Sequence, residues 1–332
     1  MDSFFKRHWF LLAMAAAVAG GYLLPQGGQS LRESSFAIPL LVAVVLGISG
    51  FTLDTSRLLA QTKNLWAILL TLATTYAVAP VAAYALAKAW GPEIRGPESA
   101  GAFFLEAMMI LAAQAGTLAS ALAMTSIARG NQELALLITV LSSILTAVLT
   151  PLVLELSLEI HAVEVPFAEI MLRITWIVVL PVAAGQIARR FLWQRAQGVL
   201  PALRLLPRIV ILSFLYTGFC AATVRLGEAP DLALRFLGAC LCLHLALLGW
   251  TWLSSRALRI PPQSRTAVIL CGSQKTLPNG IYIWTTFFAA NPYGALPLAL
   301  YHVVQLLIDT LLLRRLEASN KPPADGLAES SG

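Results

Sequence analysis

One block of the chain gathers polar and helix-breaking residues inside an apolar run: Gly272-Ser273-Gln274-Lys275-Thr276, followed by Pro278, Asn279 and Gly280. An ammonium at the centre of a bilayer costs from about a few to more than ten kcal/mol unless it is paired or hydrated. The chemistry expected of Lys275 is therefore electrostatic. Its ammonium takes the place of a bound cation, held by carbonyl oxygens of unwound backbone and by the Thr139 hydroxyl, or it releases its proton during a cycle and couples transport to protons. A fixed charge that never titrates is the alternative. A second interruption sets Gln114, Gly116, Thr117 and Ser120 between the apolar stretches 103–113 and 121–127. A third polar group, His302, Gln305 and Asp309, is spaced by three and four residues and so shares one helix face. From there His302 or Asp309 offers a counter-charge to Lys275, or Asp309 caps the membrane edge near Arg314. Glu106, in the first half of the fourth apolar stretch, is either functional or paired. Arg173 and Glu169 read as an ordinary pair four residues apart, and His244 as a packing histidine.

Other chemistries lack their residues. The acids Asp54, Glu93, Glu98, Glu164 and Glu228 are scattered singly, and no nucleophile–base set, His-rich spacing or paired acids speaks for an enzyme. A channel would need a pore ring, a filter repeat or an arginine ladder, and the sequence has none of these. Ion channel and membrane-embedded enzyme are thus the weaker readings. The cysteines Cys220, Cys240, Cys242 and Cys271 all lie in apolar runs with no Cys-x-x-Cys, so neither disulfides nor structural zinc are expected. Cys240 and Cys242 should point to different sides of a helix.

The elements that must position these groups follow from composition. Of 332 residues, 58% are apolar and 12% charged, against roughly 45–50% and 25% in a soluble domain. The net charge of +6 comes from basic residues that punctuate apolar runs, the pattern of membrane edges and not of a nucleic-acid surface. Apolar stretches run over 9–25, 36–53, 65–90, 99–128, 132–156, 168–192, 206–226, 231–255, 265–290 and 294–313, each about long enough to span. The first, although preceded by Lys6 and Arg7 and containing the small-residue run Ala15 to Gly20, is expected to stay as an anchor and not to be cleaved. With the N-terminus inside, cytoplasmic segments hold sixteen of the 23 Lys and Arg residues and external ones five, Arg173 and Lys275 lying within spans. That bias predicts both termini in the cytoplasm and a protein of the plasma (inner) membrane. Trp9, Trp66, Trp90, Trp193 and Trp250 read as interfacial belts. The polar stretch from Glu317 to Gly332 is expected to be a disordered tail.

The two interruptions lie at matching places. From the start of the first stretch to the break near 115 is about 106 residues, and from the start of the sixth to the break near 275 is again about 106. Five spans per half is an odd number, so the second half enters the membrane from the opposite side. The fold predicted is an all-α polytopic membrane protein: a first repeat over 1–160, an inverted second repeat over 161–316, and the tail over 317–332. Inverted repeats that each carry a broken helix point to a secondary transporter with its site at mid-depth. Positive helix ends aimed at the breaks, with Lys275, favour an amphipathic organic anion as substrate. The candidate binding set is Gln114, Thr117, Ser120, Thr139, Ser273, Gln274, Lys275, Thr276, Asn279, His302 and Gln305. The partners are a small organic anion and the lipid bilayer, without nucleic acid.

Three segments carry a family likeness: Ala128-Arg129-Gly130-Asn131, Thr150-Pro151 and Cys271-Gly272-Ser273-Gln274-Lys275. Over nearly the whole chain the sequence resembles the bile acid:sodium symporter superfamily, in its sodium bile acid cotransporter-like branch. The resemblance implies ten transmembrane helices, with helices one, two, six and seven forming a panel domain. The other six would form a core in which helices four and nine, both broken, cross. It also implies alternating access, with two sodium ions bound in the sodium-coupled members and no other cofactor; with Lys275, the coupling expected is to a sodium or a proton gradient. Carried over by position, Gln274 and Thr139 match ion ligands of the sodium-coupled members. The remaining ligand positions hold Leu270, Leu122, Thr75 and Lys275 in place of Glu, Asn, Gln and Asn, and a sodium site needs a cage of hard oxygens.

Overall fold

The computed structural model describes residues 2–28, 34, 36–54, 58, 60–96, 98–158 and 165–320. Arg32, Arg57 and Lys321 of the charge count, Glu164 of the scattered acids, the boundary expected at 160/161, and 321–332 of the expected tail lie outside the described residues. Those described form helices and connecting turns, without a strand. In chain order the helices are α1 (Asp2–Leu23), α2 (Ala37–Thr52), α3 (Leu65–Trp90), α4 (Ala100–Ala112), α5 (Leu118–Ile127) and α6 (Gln132–Leu158). There follow α7 (Phe167–Leu192), α8 (Leu200–Glu228), α9 (Pro230–Ala257), α10 (Pro262–Ser273), α11 (Leu277–Phe287) and α12 (Ala295–Ser319). Among the described residues, six stretches are long and apolar enough to cross a membrane: Leu65–Trp90, Gln132–Leu158, Phe167–Leu192, Gln197–Cys220, Pro230–Ala257 and Ala295–Ser319. Large apolar side chains such as Trp66, Leu245 and Leu311 stand exposed on their outer faces, where only lipid tails would cover them without cost.

Both predicted interruptions are real. The fourth apolar stretch is divided at 113–117 into α4 and α5, and the ninth at 274–276 into α10 and α11. Ser99 opens α4 by accepting the Ala102 amide, and Pro262 and Pro278 sit in the first turns of α10 and α11, where a missing amide hydrogen leaves nothing unsatisfied. Two further irregularities escaped prediction. A π-turn occupies Thr74–Val78 in α3 and another Thr175–Val179 in α7, with Pro80 and Pro181 two residues beyond each. A proline ring removes a donor and crowds the carbonyl four residues earlier, and widening the turn relieves both.

Packing places α1 against α8 and α2 against α7. The second pair approaches closely at glycine: a Cβ on Gly50 would run into the Val182 carbonyl and lie 2.9 Å from its Cα, and one on Gly185 would lie 2.7 Å from the Phe51 amide. Small residues at such an interface let backbones meet where lipid gives no hydrophobic drive. Helices α3 to α6 and α9 to α12 pack around the breaks. The connections alternate between two ends. At one, the Asn131 amide donates to the Gln263 carbonyl (3.0 Å) and Asn320 Nδ2 to the Ala128 carbonyl (2.8 Å) and Thr266 Oγ1 (2.8 Å). At the other, Arg235 donates to the Trp90 carbonyl (2.9 Å) and Asn291 Nδ2 to that of Phe103 (2.9 Å). The expected tail begins later than predicted: Glu317 to Ser319 continue α12, because Glu317 pairs with Arg129 (3.2 Å) and Asn320 is buried in its bonds to Ala128 and Thr266.

Candidate functional site

Breaking α4 frees carbonyls that lipid cannot satisfy, and each has a partner. Gln114 folds back, its amide reaching the Leu111 carbonyl (3.2 Å) and its Nε2 that of Ile110 (2.7 Å). Thr150, beside the helix-interior Pro151, donates to Ala113 (2.6 Å), and the Thr276 amide crosses from the other break to Ala115 (2.9 Å). The last two, Ala112 and Gln114, accept the Lys275 ammonium at 2.7 and 3.0 Å. Its third hydrogen goes to Thr75 at 2.8 Å, within the π-turn of α3. Lys275 is 1% exposed, so three backbone dipoles replace the water and the counter-ion that a buried ammonium would otherwise need. The breaks touch: a Cβ on Gly116 would lie 2.7 Å from the Cys271 carbonyl.

The backbone of Lys275 is clamped as tightly as its side chain. Its amide donates to Gln305 Oε1 (2.8 Å), and Gln305 Nε2 reaches its carbonyl (3.2 Å) and His302 Nδ1 (3.0 Å). Because an amide N–H can meet only an oxygen acceptor, Gln305 is oriented, and its nitrogen makes His302 Nδ1 an acceptor. Neutral His302 then carries its hydrogen on Nε2, which has no partner, and the residue lines the cavity described next. Asn279 is oriented by a similar relay. Its Nδ2 donates to Gln114 Oε1 (2.7 Å), leaving Oδ1 without a partner.

A cavity opens between the α2–α7–α8 side and the two breaks. Val42, Leu46, Val178 and Ile211 give it apolar walls; Ser49, Thr117, Ser143, Thr146, Thr276, Asn279 and His302 are its polar members. The first residues of α5 and α11 border it, so two positive helix ends face the same space.

The predicted set divides accordingly. Gln114, Ser273, Gln274, Lys275, Thr276, Asn279 and Gln305 meet at the breaks, joined by Thr117 and Ser120; Ser120 donates to Gln274 Oε1 at 2.8 Å, and Ser273 Oγ bonds within its own helix. Thr139 does not join them: its hydroxyl donates to the Ala135 and Leu136 carbonyls (2.9 and 3.0 Å), and the ammonium has Thr75 instead. Nor do Thr139 and Gln274 by themselves make a sodium site, since two neutral oxygens are too few for a cage and the Lys275 ammonium holds the carbonyls at the breaks. Asp309 neither faces Lys275 nor caps an edge. It is fully buried, 3.0 Å from Nε2 of His244 and 2.6 Å from Nε2 of Gln274, so His244 is no isolated packing residue. Position alone hid this pair, because α9 and α12 are distant in sequence. Glu106 is paired, accepting Asn291 Nδ2 at 2.8 Å. Arg173 and Glu169 pair as predicted at 2.8 Å with both half-exposed, and all four cysteines are free, Cys240 buried and Cys242 partly exposed.

This geometry has relatives. The profile of the SBF-like CPA transporter family matches residues 8–318. The chain belongs to that family. An uncharacterised protein of Pseudomonas aeruginosa is 30% identical over 326 residues, covering 97% of this chain and 96% of its own. Sodium/bile acid cotransporter 7 of the mouse is 24% identical over 323 residues (94% and 93%), and its namesake in zebrafish, Danio rerio, 24% over 319 (93% of each). As a member of this family the protein is an integral membrane protein of the transporter type, not an enzyme, and the bile acid:sodium symporter resemblance holds in its SBF-like branch.

Proposed function

We propose that the protein is a secondary carrier that moves an amphipathic organic anion by alternating access. In this reading its ten spans form two inverted five-helix halves, with helices four (α4 and α5) and nine (α10 and α11) broken and crossing. The panel is α1, α2, α7 and α8; the other helices are the core, and the cavity lies between them. One observation carries the proposal: Lys275, at the junction of two interrupted helices, is held by three carbonyl oxygens beside that cavity. Oxygens arranged to receive a cation receive a tethered one, which keeps the junction closed without a sodium ion and adds a permanent positive charge to two positive helix ends.

The substrate follows from the lining. An anionic group is favoured at the helix ends, an apolar body against Val42, Leu46, Val178 and Ile211, and a hydroxyl or similar group that can accept from His302 Nε2 and donate to Asn279 Oδ1. The gradient favoured by the ligand set is one of protons, since the Lys275 ammonium already fills the carbonyl cage at the breaks. The end holding Arg129, Gln263 and Asn320 is taken as cytoplasmic on the charge count.

The test is uptake of radiolabelled cholate, and of shorter hydroxylated carboxylates, into proteoliposomes under an inward proton gradient, an inward sodium gradient or none. Accumulation above the external concentration under the proton gradient is expected. Equilibration without accumulation under every gradient, for every anion, would show a channel or an inert protein and end the carrier reading.

A further inference from the structure

Asp309 and His244 have no part in holding Lys275 or in lining the cavity, yet both are completely buried and fully bonded. Their neighbours determine where hydrogens can sit. Tyr301 directs its hydroxyl hydrogen to the Ser273 carbonyl at 2.6 Å, and a carbonyl only accepts. The oxygen that Tyr301 shows to His244 Nδ1, 3.3 Å away, is therefore a lone pair, and Nδ1 carries a hydrogen. On the far side Asp309 Oδ2 accepts Gln274 Nε2 at 2.6 Å. One line remains, from His244 Nε2 to Asp309 Oδ1 at 3.0 Å. With no hydrogen on it two lone pairs face each other; with two, the hydrogens collide. The geometry admits one.

We propose that His244 and Asp309 together form a binding site for one proton, and that its occupancy is passed to the break between α10 and α11. This rests on the carrier reading and supplies its coupling ion. On release, the Nε2–H or Oδ1–H bond breaks heterolytically, the proton passes to water, and a buried monoanion with opposed lone pairs is left. Such a pair must separate or rehydrate. Motion of Asp309 pulls Gln274, and with it Ser120 on α5; motion of His244 pulls Tyr301 and the Ser273 carbonyl that closes α10. Both routes end at residues next to Lys275.

The surrounding ionisable groups leave the pair to itself. Cys240 on α9 donates to the Pro297 carbonyl, Cys271 on α10 to that of Ala135, and Arg265 to that of Ile260. Lys275 holds its three carbonyls, His302 faces the cavity, and Glu106 on α4 is paired with Asn291. Toward the end of α12, Glu317 is paired with Arg129; α5 contributes no ionisable residue. On α8, Tyr216 and Cys220 turn to the Leu24 carbonyl behind α1, and α11 brings Tyr282, which packs edge-on to Phe287.

The test uses the full-length protein, labelled with 15N-histidine and reconstituted in lipid nanodiscs. Its four histidines are assigned by single His→Gln variants, and their ring-nitrogen shifts are followed from pH 5 to pH 10. His244 should show a hydrogen on Nδ1 throughout and lose a single shared proton in one step, a step absent from Asp309→Asn. A neutral His244 protonated on Nε2, no step in the wild type, or the same step in Asp309→Asn would each overturn the site; the first two are read on the wild-type protein once its histidines are assigned. In proteoliposomes the ratio of cholate uptake with a proton gradient to uptake without one should fall to about one in Asp309→Asn. An unchanged ratio overturns the coupling. Wild-type vesicles that accumulate no cholate under any gradient count against the carrier reading alone, and the nitrogen signals then decide the proton site.

Discussion

Removing the Lys275 ammonium strands the carbonyls of Thr75, Ala112 and Gln114, and a buried acceptor without a donor costs about 1–3 kcal/mol. Lys275→Met should therefore lower stability by roughly 3 kcal/mol or more and abolish uptake, read by thermal unfolding in detergent and by transport. Lys275→Arg should also fail, because a planar fork of five donors does not match three converging carbonyls sized for an ammonium. At the cavity, His302→Phe keeps the ring volume and removes the unpartnered Nε2–H. A lost hydrogen bond of about 1.4 kcal/mol corresponds to roughly a tenfold weaker substrate affinity, to be measured as a rise in the concentration for half-maximal uptake.

At the scale of the element, the breaks hold their shape by using side chains where a helix would use its own ladder. Thr150→Val leaves volume nearly unchanged but orphans the Ala113 carbonyl; an expected loss of about 1–3 kcal/mol would show as an earlier unfolding transition. Gly116→Val places a side chain 2.7 Å from the Cys271 carbonyl at its first carbon. The two breaks must then part, and cross-linking between cysteines placed at Ala115 and Thr276, bonded in the wild type through their backbones, should fall in yield. The π-turns follow the same logic from the opposite direction: prolines disturb the ladder, and in α3 the disturbed region supplies the Thr75 carbonyl to the ammonium.

For the whole molecule, the alternating connections make a topological prediction. Cysteines at Arg129 and at Glu93 should react on opposite sides of the membrane, with a membrane-impermeant maleimide applied to intact cells labelling the Glu93→Cys variant alone. Labelling of Arg129→Cys alone would reverse the orientation read from the positive charges, and labelling of both would overturn the placement of the two sites on opposite sides. The close α2–α7 seam at Gly50 and Gly185 predicts that Gly185→Leu uncouples those helices and lowers folded yield in the membrane, read by size-exclusion profile.

The amino-acid order by itself determined what lipid imposes locally. Long apolar runs, a charge bias between their ends and breaks at Gly116 and Gly272–Gly280 are all properties of contiguous residues, because a helix in a bilayer must satisfy its backbone within its own segment or advertise where it does not. The membership of Gln305, Asn279 and Lys275 in one site was legible for the same reason: a polar residue in an apolar run needs a partner. Which partner is a property of the packing. Thr75 instead of Thr139 beneath the ammonium, His244 instead of Lys275 beside Asp309, and Asn291 beside Glu106 all join residues from helices far apart in the chain. Hydrogen-bond geometry reaches only about 3 Å, and only the tertiary arrangement brings those atoms within it.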